Sequence, residues 1–370
     1  TPTRRQRQMC IRDRNNTGKN LFASVQAEDE LAAIGMAIGA NWNGARGFTA
    51  TSGPGISLMS EFLGLAYFAE IPLVLFNVQR GGPSTGMPTR TQQSDVLACA
   101  YASHGDTKHV VLFPSDPKEC FDFSAQAFDL ADQLQTPIFV VSDLDMGMND
   151  WVCDKFKWDD EYKYNRGKVL NREDLDEIES FGRYLDIDND GICYRTYPGT
   201  HPEKGAFFTR GTSHDEYARY TEDGEVNAAT LSRLMKKFRT ASELVPEPII
   251  EINGEDSCGV IFYGSTSPAV HEAKDILKEK EINIDLMQIR SFPFNLDVWE
   301  FIANHDRIYV VEQNRDSQMR TLIMAEGGIS PEILRPLVHF TGDPIQASYI
   351  VNKISEREVN YKSHINAKNR

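Results

Sequence analysis

Between residues 21 and 145 short apolar runs alternate with segments of helical spacing. LFASVQ predicts a short strand, and EDELAAIGMAIGANW predicts a helix rich in small residues, with Gly35 and Gly39 inside it. GFTATSG predicts a strand running into a Ser/Gly/Pro turn, and ISLMSEFLGLAYFAE predicts one helix. IPLVLFNVQ is a near-continuous apolar run, the signature of a strand covered on both faces. After the Gly/Pro/Ser/Thr loop RGGPSTGMPTRTQQSD and a further helix, HVVLFP predicts a strand. PSDPKECFDFSAQAFDLADQL predicts a helix entered through Ser115 or Asp116, with Pro117 in its first turn. TPIFVVSDLDM predicts the next strand. This alternation points to a doubly wound α/β domain with a parallel sheet.

The pattern changes at residues 151–245, where aromatic and charged residues mix and ATLSRLMKKFRTASEL is the one clear helix. That stretch reads as an irregular lid or linker, closed by the Pro-containing VPEPIIE. Alternation then resumes. CGVIFYGS, NIDLMQIR, RIYVVEQN and RPLVHF predict strands; SPAVHEAKDILKEKE, LDVWEFIANH, SQMRTLIMAEG and PIQASYIVNKISE predict helices. A second, smaller α/β domain follows from it.

Charge narrows the function classes. The 370 residues carry a net −15, which excludes a protein that coats nucleic acid through a basic face. No apolar run approaches the roughly 18 residues of a membrane span. The head TPTRRQRQMCIRDR is the exception, with five arginines and one aspartate. It lacks the apolar stretch of a secretory signal and reads as a non-native head over residues 1–14. The six cysteines (Cys10, Cys99, Cys120, Cys153, Cys193, Cys258) form no CxxC pair. Reduced, buried thiols in a cytoplasmic protein are expected, and the chain cannot itself supply four closely spaced thiolates to an iron–sulfur cluster.

Four places carry candidate chemistry. Glu28, Asp29 and Glu30 stand at a strand-to-helix junction. Acids there complement the helix dipole without further function. The small residues after Glu30 also let a flat ligand approach. A carboxylate so placed is what thiamine enzymes use to hydrogen-bond the pyrimidine nitrogen, favouring the imino tautomer that removes the thiazolium proton. Arg80 to Arg90 form a loop just beyond a buried strand, where ligands bind in open parallel sheets. Its two arginines and three hydroxyls suit a carboxylate, against the alternative of an ordinary surface loop. The turn TATSGPGI could offer backbone N–H groups to an anion or ring. Asp186-Ile-Asp188-Asn-Asp190-Gly191 mimics the start of a calcium loop, yet its twelfth position is Tyr197 where a bidentate Glu is required. A looser Asp-rich calcium site stays open. His104, His201 and His214 are scattered, with no zinc spacing, and no metal site is assigned.

Residues 26–95, with RGGPSTGMPTR at their heart, closely resemble the alpha subunit of 2-oxoacid:ferredoxin oxidoreductases, particularly the 2-oxoglutarate (KorA-like) branch. The likeness continues through TRGTSHDEYARYTEDG to VVEQNRDSQMR. The resemblance implies a thiamine diphosphate pyrimidine-binding domain over residues 15–150, the lid or linker over 151–250, and a transketolase C-terminal-like α/β domain over 251–370. It implies catalytic roles for Glu30, which would activate the cofactor, and Arg80, which would hold the substrate carboxylate. Thr89 would recognise the 2-oxoacid, and Thr51, Ser52 and Gly53 would join Glu30 at the cofactor. The implied reaction is oxidative decarboxylation of 2-oxoglutarate with coenzyme A to succinyl-CoA and CO₂, reducing ferredoxin. Thiamine diphosphate would be shared with a beta subunit in a heterodimer, and that subunit would carry Mg²⁺ and the iron–sulfur cluster. A pyruvate or branched-chain enzyme of the same architecture, or an assembly subunit without catalysis, are the alternatives. Two departures stand out: neither the front YPITPS-type motif nor a gamma-type domain is found. An N-terminally truncated chain, inactive alone, is therefore expected.

Overall fold

The computed structural model describes residues 22–254 and 257–368; the basic head, Cys10 and Leu21 lie outside them. The first sheet holds β1 (Phe48–Thr51), β2 (Leu73–Gln79), β3 (Val110–Leu112), β4 (Pro137–Asp143) and β8 (Ser291–Phe292). Their order is β1-β2-β4-β3-β8, and only β8 runs antiparallel to its neighbour. The second sheet holds β5 (Ile249–Glu251), β6 (Cys258–Tyr263), β7 (Ile284–Ile289), β9 (Ile308–Glu312) and β10 (Leu334–Val338). Its order is β10-β9-β6-β7-β5, with β5 antiparallel. The two sheets follow the two alternating stretches, except that β8, from the second stretch, pairs with β3 at the edge of the first sheet.

Local chemistry sets the helix ends. The helix α1 (Glu30–Trp42) starts where the Asp29 carboxylate accepts the Ala32 N–H at 2.8 Å, satisfying one orphan donor of the first turn. In the same way Asp116 caps α5 (Pro117–Leu134) through the Glu119 N–H at 2.7 Å.

Four expectations need correction. Residues 22–26 form no strand. The single helix expected from ISLMSEFLGLAYFAE is two, α2 (Gly53–Leu58) and α3 (Ser60–Phe68), broken at the fully buried Met59. The strand over TPIFVVSDLDM stops at Asp143, because that side chain turns to accept the Asp145 and Met146 N–H groups and so opens α6 (Leu144–Met148). Finally, VPEPIIE is no mere linker, since its end is β5, paired with β7 at the sheet edge.

The two units share one core. Leu75, Val111 and Phe139 of the first sheet lie in the same apolar cluster as Ile261, Met287 and Val310 of the second. A buried polar seam crosses it at Gln93. The Gln93 amide donates to the Tyr263 carbonyl at 3.2 Å and accepts from Thr266 Oγ1 and the Gln313 N–H, each at 3.1 Å. Its backbone exchanges bonds with the Gln313 carbonyl (2.8 Å) and Asn314 Nδ2 (2.9 Å).

The irregular region contains α7 (Arg172–Glu177) and α8 (Gly224–Ala241), and it docks on the first unit through buried ions. Asp132 of α5 meets Arg195 at 2.7 Å, Arg46 at 2.9 Å and Arg166 at 3.1 Å. Glu70 is fully buried with a left-handed backbone (φ 55°). Its carboxylate takes Arg233 of α8 at 2.5 Å and Lys237 at 2.7 Å. Burial works against the Glu70 charge, but Arg233 and Lys237 overcome it and hold the carboxyl well below its ordinary range.

Glu70→Ala leaves two buried cations unpaired, and urea denaturation is expected to show a loss of about 3–5 kcal/mol. The lowered carboxyl also fixes a sign. The wild-type contribution is complete above the ordinary value of 4.5 and declines as pH falls below it. A Glu70→Ala protein should therefore show a flatter stability profile below that pH.

Candidate functional site

A cavity of about 980 Å³ opens beyond the carboxyl ends of β1 and β2. Arg80 enters it directly from the end of β2, together with Gly53, Pro54 and Ser57 of α2 and Asp95 from the following loop. The far wall is supplied by the second unit, through Asn314, Arg315, Asp316, Gln318 and Phe340. Arg315 and Asp316 satisfy one another, at 2.8 and 3.0 Å. Arg80 does not: its Nε is buried and has no hydrogen-bond partner. A buried guanidinium N–H left without an acceptor suits an anionic ligand.

The turn at 51–55 forms a second wall. Thr51 ends β1, Ser52 precedes α2, and Gly53 opens it. Only glycine fits at 55, because a Cβ there would lie 1.9 Å from Thr51 Oγ1 and 3.0 Å from Glu30 Cγ. Glu30, Thr51 and Gly55 thus converge from α1, β1 and α2. The Glu30 carboxylate is half-buried and makes no hydrogen bond or ion pair with a described residue. It is free to bond a ring nitrogen, and with this close backbone turn the residues fit the aminopyrimidine of thiamine diphosphate.

The expected site residues therefore divide. Arg80 and Gly53 line the cavity, whereas Glu30, Thr51 and Ser52 are not among its lining residues; Glu30 and Thr51 pack against Gly55 of the adjoining turn. Thr89 is exposed on the outer part of the loop and is not brought to the lining. Its neighbour Arg90 pairs with Asp343 at 2.6 Å, and the Thr91 N–H donates to the Gly342 carbonyl, so the loop is clipped to the second unit.

Several lining residues escaped the sequence reading. Asp95 is one. Its N–H donates to Gln79 Oε1 at 2.8 Å, and Asn77 Nδ2 donates to its carboxylate at 3.1 Å. Burial pushes the Asp95 carboxyl up, opposed by the Asn77 bond and the nearby Arg80 charge. Two fully buried polar side chains inside LVLFNVQ were the available signal. Nothing local could have revealed the residues around 314–318.

Elsewhere, the aspartate-rich loop holds lysine ammonium groups. Lys168 lies 2.7 Å from Asp188 and 2.8 Å from Asp190, and Lys236 approaches Asp186 at 3.4 Å. No group of three metal-ligating side chains stands together among the described residues. His201 bonds Asp176, His214 bonds the Thr212 carbonyl and stacks on Tyr184, and His104 faces Glu61 at the surface.

Residues 6–170 match the family described as "Pyruvate flavodoxin/ferredoxin oxidoreductase, thiamine diP-bdg". The chain is 33% identical over 343 residues to subunit alpha of 2-oxoacid:ferredoxin oxidoreductase 2 from Aeropyrum pernix, covering 91% of this chain and 52% of that one. It is 32% identical to 2-oxoglutarate synthase subunit KorA from Methanothermobacter thermautotrophicus, over 85% of this chain and 81% of that one. Among solved structures it resembles a 2-oxoglutarate:ferredoxin oxidoreductase from Magnetococcus marinus with 2-oxoglutarate, coenzyme A and succinyl-CoA bound. That match has a TM-score of 0.80 and 30% identity, covering 90% of this chain and 56% of the other. The chain spans about half the length of the Aeropyrum relative and of the Magnetococcus chain.

The packing at the turn is testable by itself. Gly55→Ala places a methyl against Thr51 and is expected to destabilise the chain by about 1–3 kcal/mol, the usual cost of overpacking. Adding Thr51→Gly removes the two nearer atoms and leaves Glu30 Cγ at 3.0 Å, so Gly55→Ala should lower the melting midpoint by less in a Thr51→Gly background than in the wild type.

Proposed function

Because the chain belongs to the alpha-subunit family of the 2-oxoacid:ferredoxin oxidoreductases, we propose that it is the non-cluster subunit of a 2-oxoglutarate:ferredoxin oxidoreductase. The reaction joins 2-oxoglutarate to coenzyme A, releases CO₂ and passes two electrons to ferredoxin. The observation that carries this reading is Arg80, half-buried on the wall of a large cavity, with a buried Nε–H that has no partner. A fork of N–H donors there matches the carboxylate of a 2-oxoacid. The names of the KorA relatives favour 2-oxoglutarate among such acids.

Glu30 takes the second role. Its free carboxylate would bond the pyrimidine nitrogen of thiamine diphosphate and hold that ring in the tautomer able to accept a proton. Thr51, Ser52 and Gly53 would shape the pocket wall beside it. The bound cofactor supplies a nucleophilic carbon and an electron sink for decarboxylation. Thr89, outside the cavity lining, carries no role in this reading.

A beta subunit completes the assembly. The six cysteines here contain no CxxC pair, so the iron–sulfur cluster is assigned to the partner, with Mg²⁺ and the diphosphate. No helix among the described residues is long and apolar enough to cross a membrane, in keeping with action in the cytoplasm.

Mixing the chain with a cognate beta subunit should give viologen reduction that depends on thiamine diphosphate, coenzyme A and a 2-oxoacid. Turnover by the lone chain would overturn the division of labour. In the complex, Arg80→Ala is expected to lower kcat/KM for 2-oxoglutarate by roughly 30- to 150-fold, or about 2–3 kcal/mol of transition-state binding. Unchanged kinetics would remove Arg80 from the substrate site.

A further inference from the structure

We propose that Asp95 is the positioning residue of this cavity, seating the 51–55 turn on one side and setting a fixed negative charge beside Arg80 on the other. The inference rests on the reading of Arg80 as the carboxylate-binding group.

Three observations converge on Asp95. First, it is built in rather than merely present. Strand β2 gives up two core positions to polar side chains, and both serve this residue: Gln79 Oε1 accepts its backbone N–H at 2.8 Å, and Asn77 Nδ2 donates to its Oδ2 at 3.1 Å. Asn77 and Gln79 are essentially without solvent exposure. Burying an amide donor or acceptor in a parallel strand is costly unless its bond is made; Asn77 Nδ2 and Gln79 Oε1 make theirs to Asp95, while Asn77 Oδ1 has no partner, so these two bonds fix the Asp95 backbone and its carboxylate.

Second, the carboxylate lies directly beneath the turn. A Cβ on Gly53 would sit 3.0 Å from Asp95 Oδ1 and 3.2 Å from Oδ2. The turn is therefore seated between two acids: Asp95 packs under Gly53, and Glu30 packs against Gly55.

Third, the charges of the lining leave these two groups for each other. Arg80, Asp95, Arg315 and Asp316 are its charged members, and Arg315 and Asp316 are paired. Asp95 and Arg80 share the wall without forming an ion pair within 4.0 Å. A fixed carboxylate at this remove lowers the cost of the guanidinium charge while consuming none of its donors. The Arg80 donors are left open to a carboxylate ligand.

The test uses the complex with the cognate beta subunit and follows KM for 2-oxoglutarate separately from kcat. Asp95→Asn keeps the shape and removes the charge. It should raise KM about tenfold, with a smaller change in kcat. If Asp95 acts through Arg80, adding Asp95→Asn to Arg80→Ala should change KM by less than about twofold, since the group it acts on is already gone. An unchanged KM in the single variant, or an effect fully additive with Arg80→Ala, overturns the proposal.

A melting experiment on the chain separates this idea from the assigned activity. Gly53→Ala should lower the midpoint, and should lower it by less in an Asp95→Ser background, where room has been made. An equal loss in both backgrounds removes the seat, whatever the enzyme turns over. Absence of turnover by the wild-type complex with any 2-oxoacid would instead defeat the activity assignment, with the seat still read from melting. Should Asp95→Asn not fold, Asp95→Ser takes its place in the kinetic cycle.

Discussion

The arrangement depends on one buried amide. Gln93 sits where the loop from β2 crosses beneath the second sheet, and its side chain and backbone bond Tyr263, Thr266, Gln313 and Asn314. A buried amide with missing partners costs roughly 1–3 kcal/mol for each unsatisfied group. Sliding the two units apart would break several such bonds at once. The seam thus has a single low-energy register, and that register carries residues 314–318 to the cavity opposite Arg80.

From this register follows a cavity with one wall from each unit. The strand ends of the first sheet deliver Arg80 and the 51–55 turn, as open parallel sheets deliver ligand sites generally. The second unit closes the side with Asn314, Gln318 and Phe340. Buried acids reinforce the seam: Asp143 accepts from Ser265 at 2.6 Å, and Glu312 accepts from Asn314 and the Met319 N–H at 2.7 and 2.9 Å. Burial pushes both carboxyls up, and the hydrogen bonds they accept oppose that rise by favouring the charged form.

The irregular region is held by charge more than by regular structure. Glu70 and Asp132 are acids of the first unit, and each gathers cations from residues 166–237. Loss of one partner leaves an uncompensated buried charge, which makes such clusters strong determinants of geometry even where their net contribution to stability is small. Sequence spacing could not have paired Glu70 with Arg233, because more than 160 residues separate them.

Local physics alone was enough for much of this protein. Continuous apolar runs reported covered parallel strands, and Asp29 and Asp116 reported helix starts. The loop from Arg80 sets a guanidinium just after a buried strand, and that guanidinium lines the cavity. Those properties depend on residues within a few positions of each other. What depended on distant contacts was legible only in the tertiary structure. Thr89, beside Arg80 in the same loop, stands outside the lining because the loop turns at residues 82–90 and is clipped to Gly342 and Asp343. Asn77 and Gln79 lie inside the run that predicts β2, and only the fold sets Asp95 against them. Side-chain periodicity constrains which face a residue takes, but only the packed register of two sheets decides which far residue meets it there.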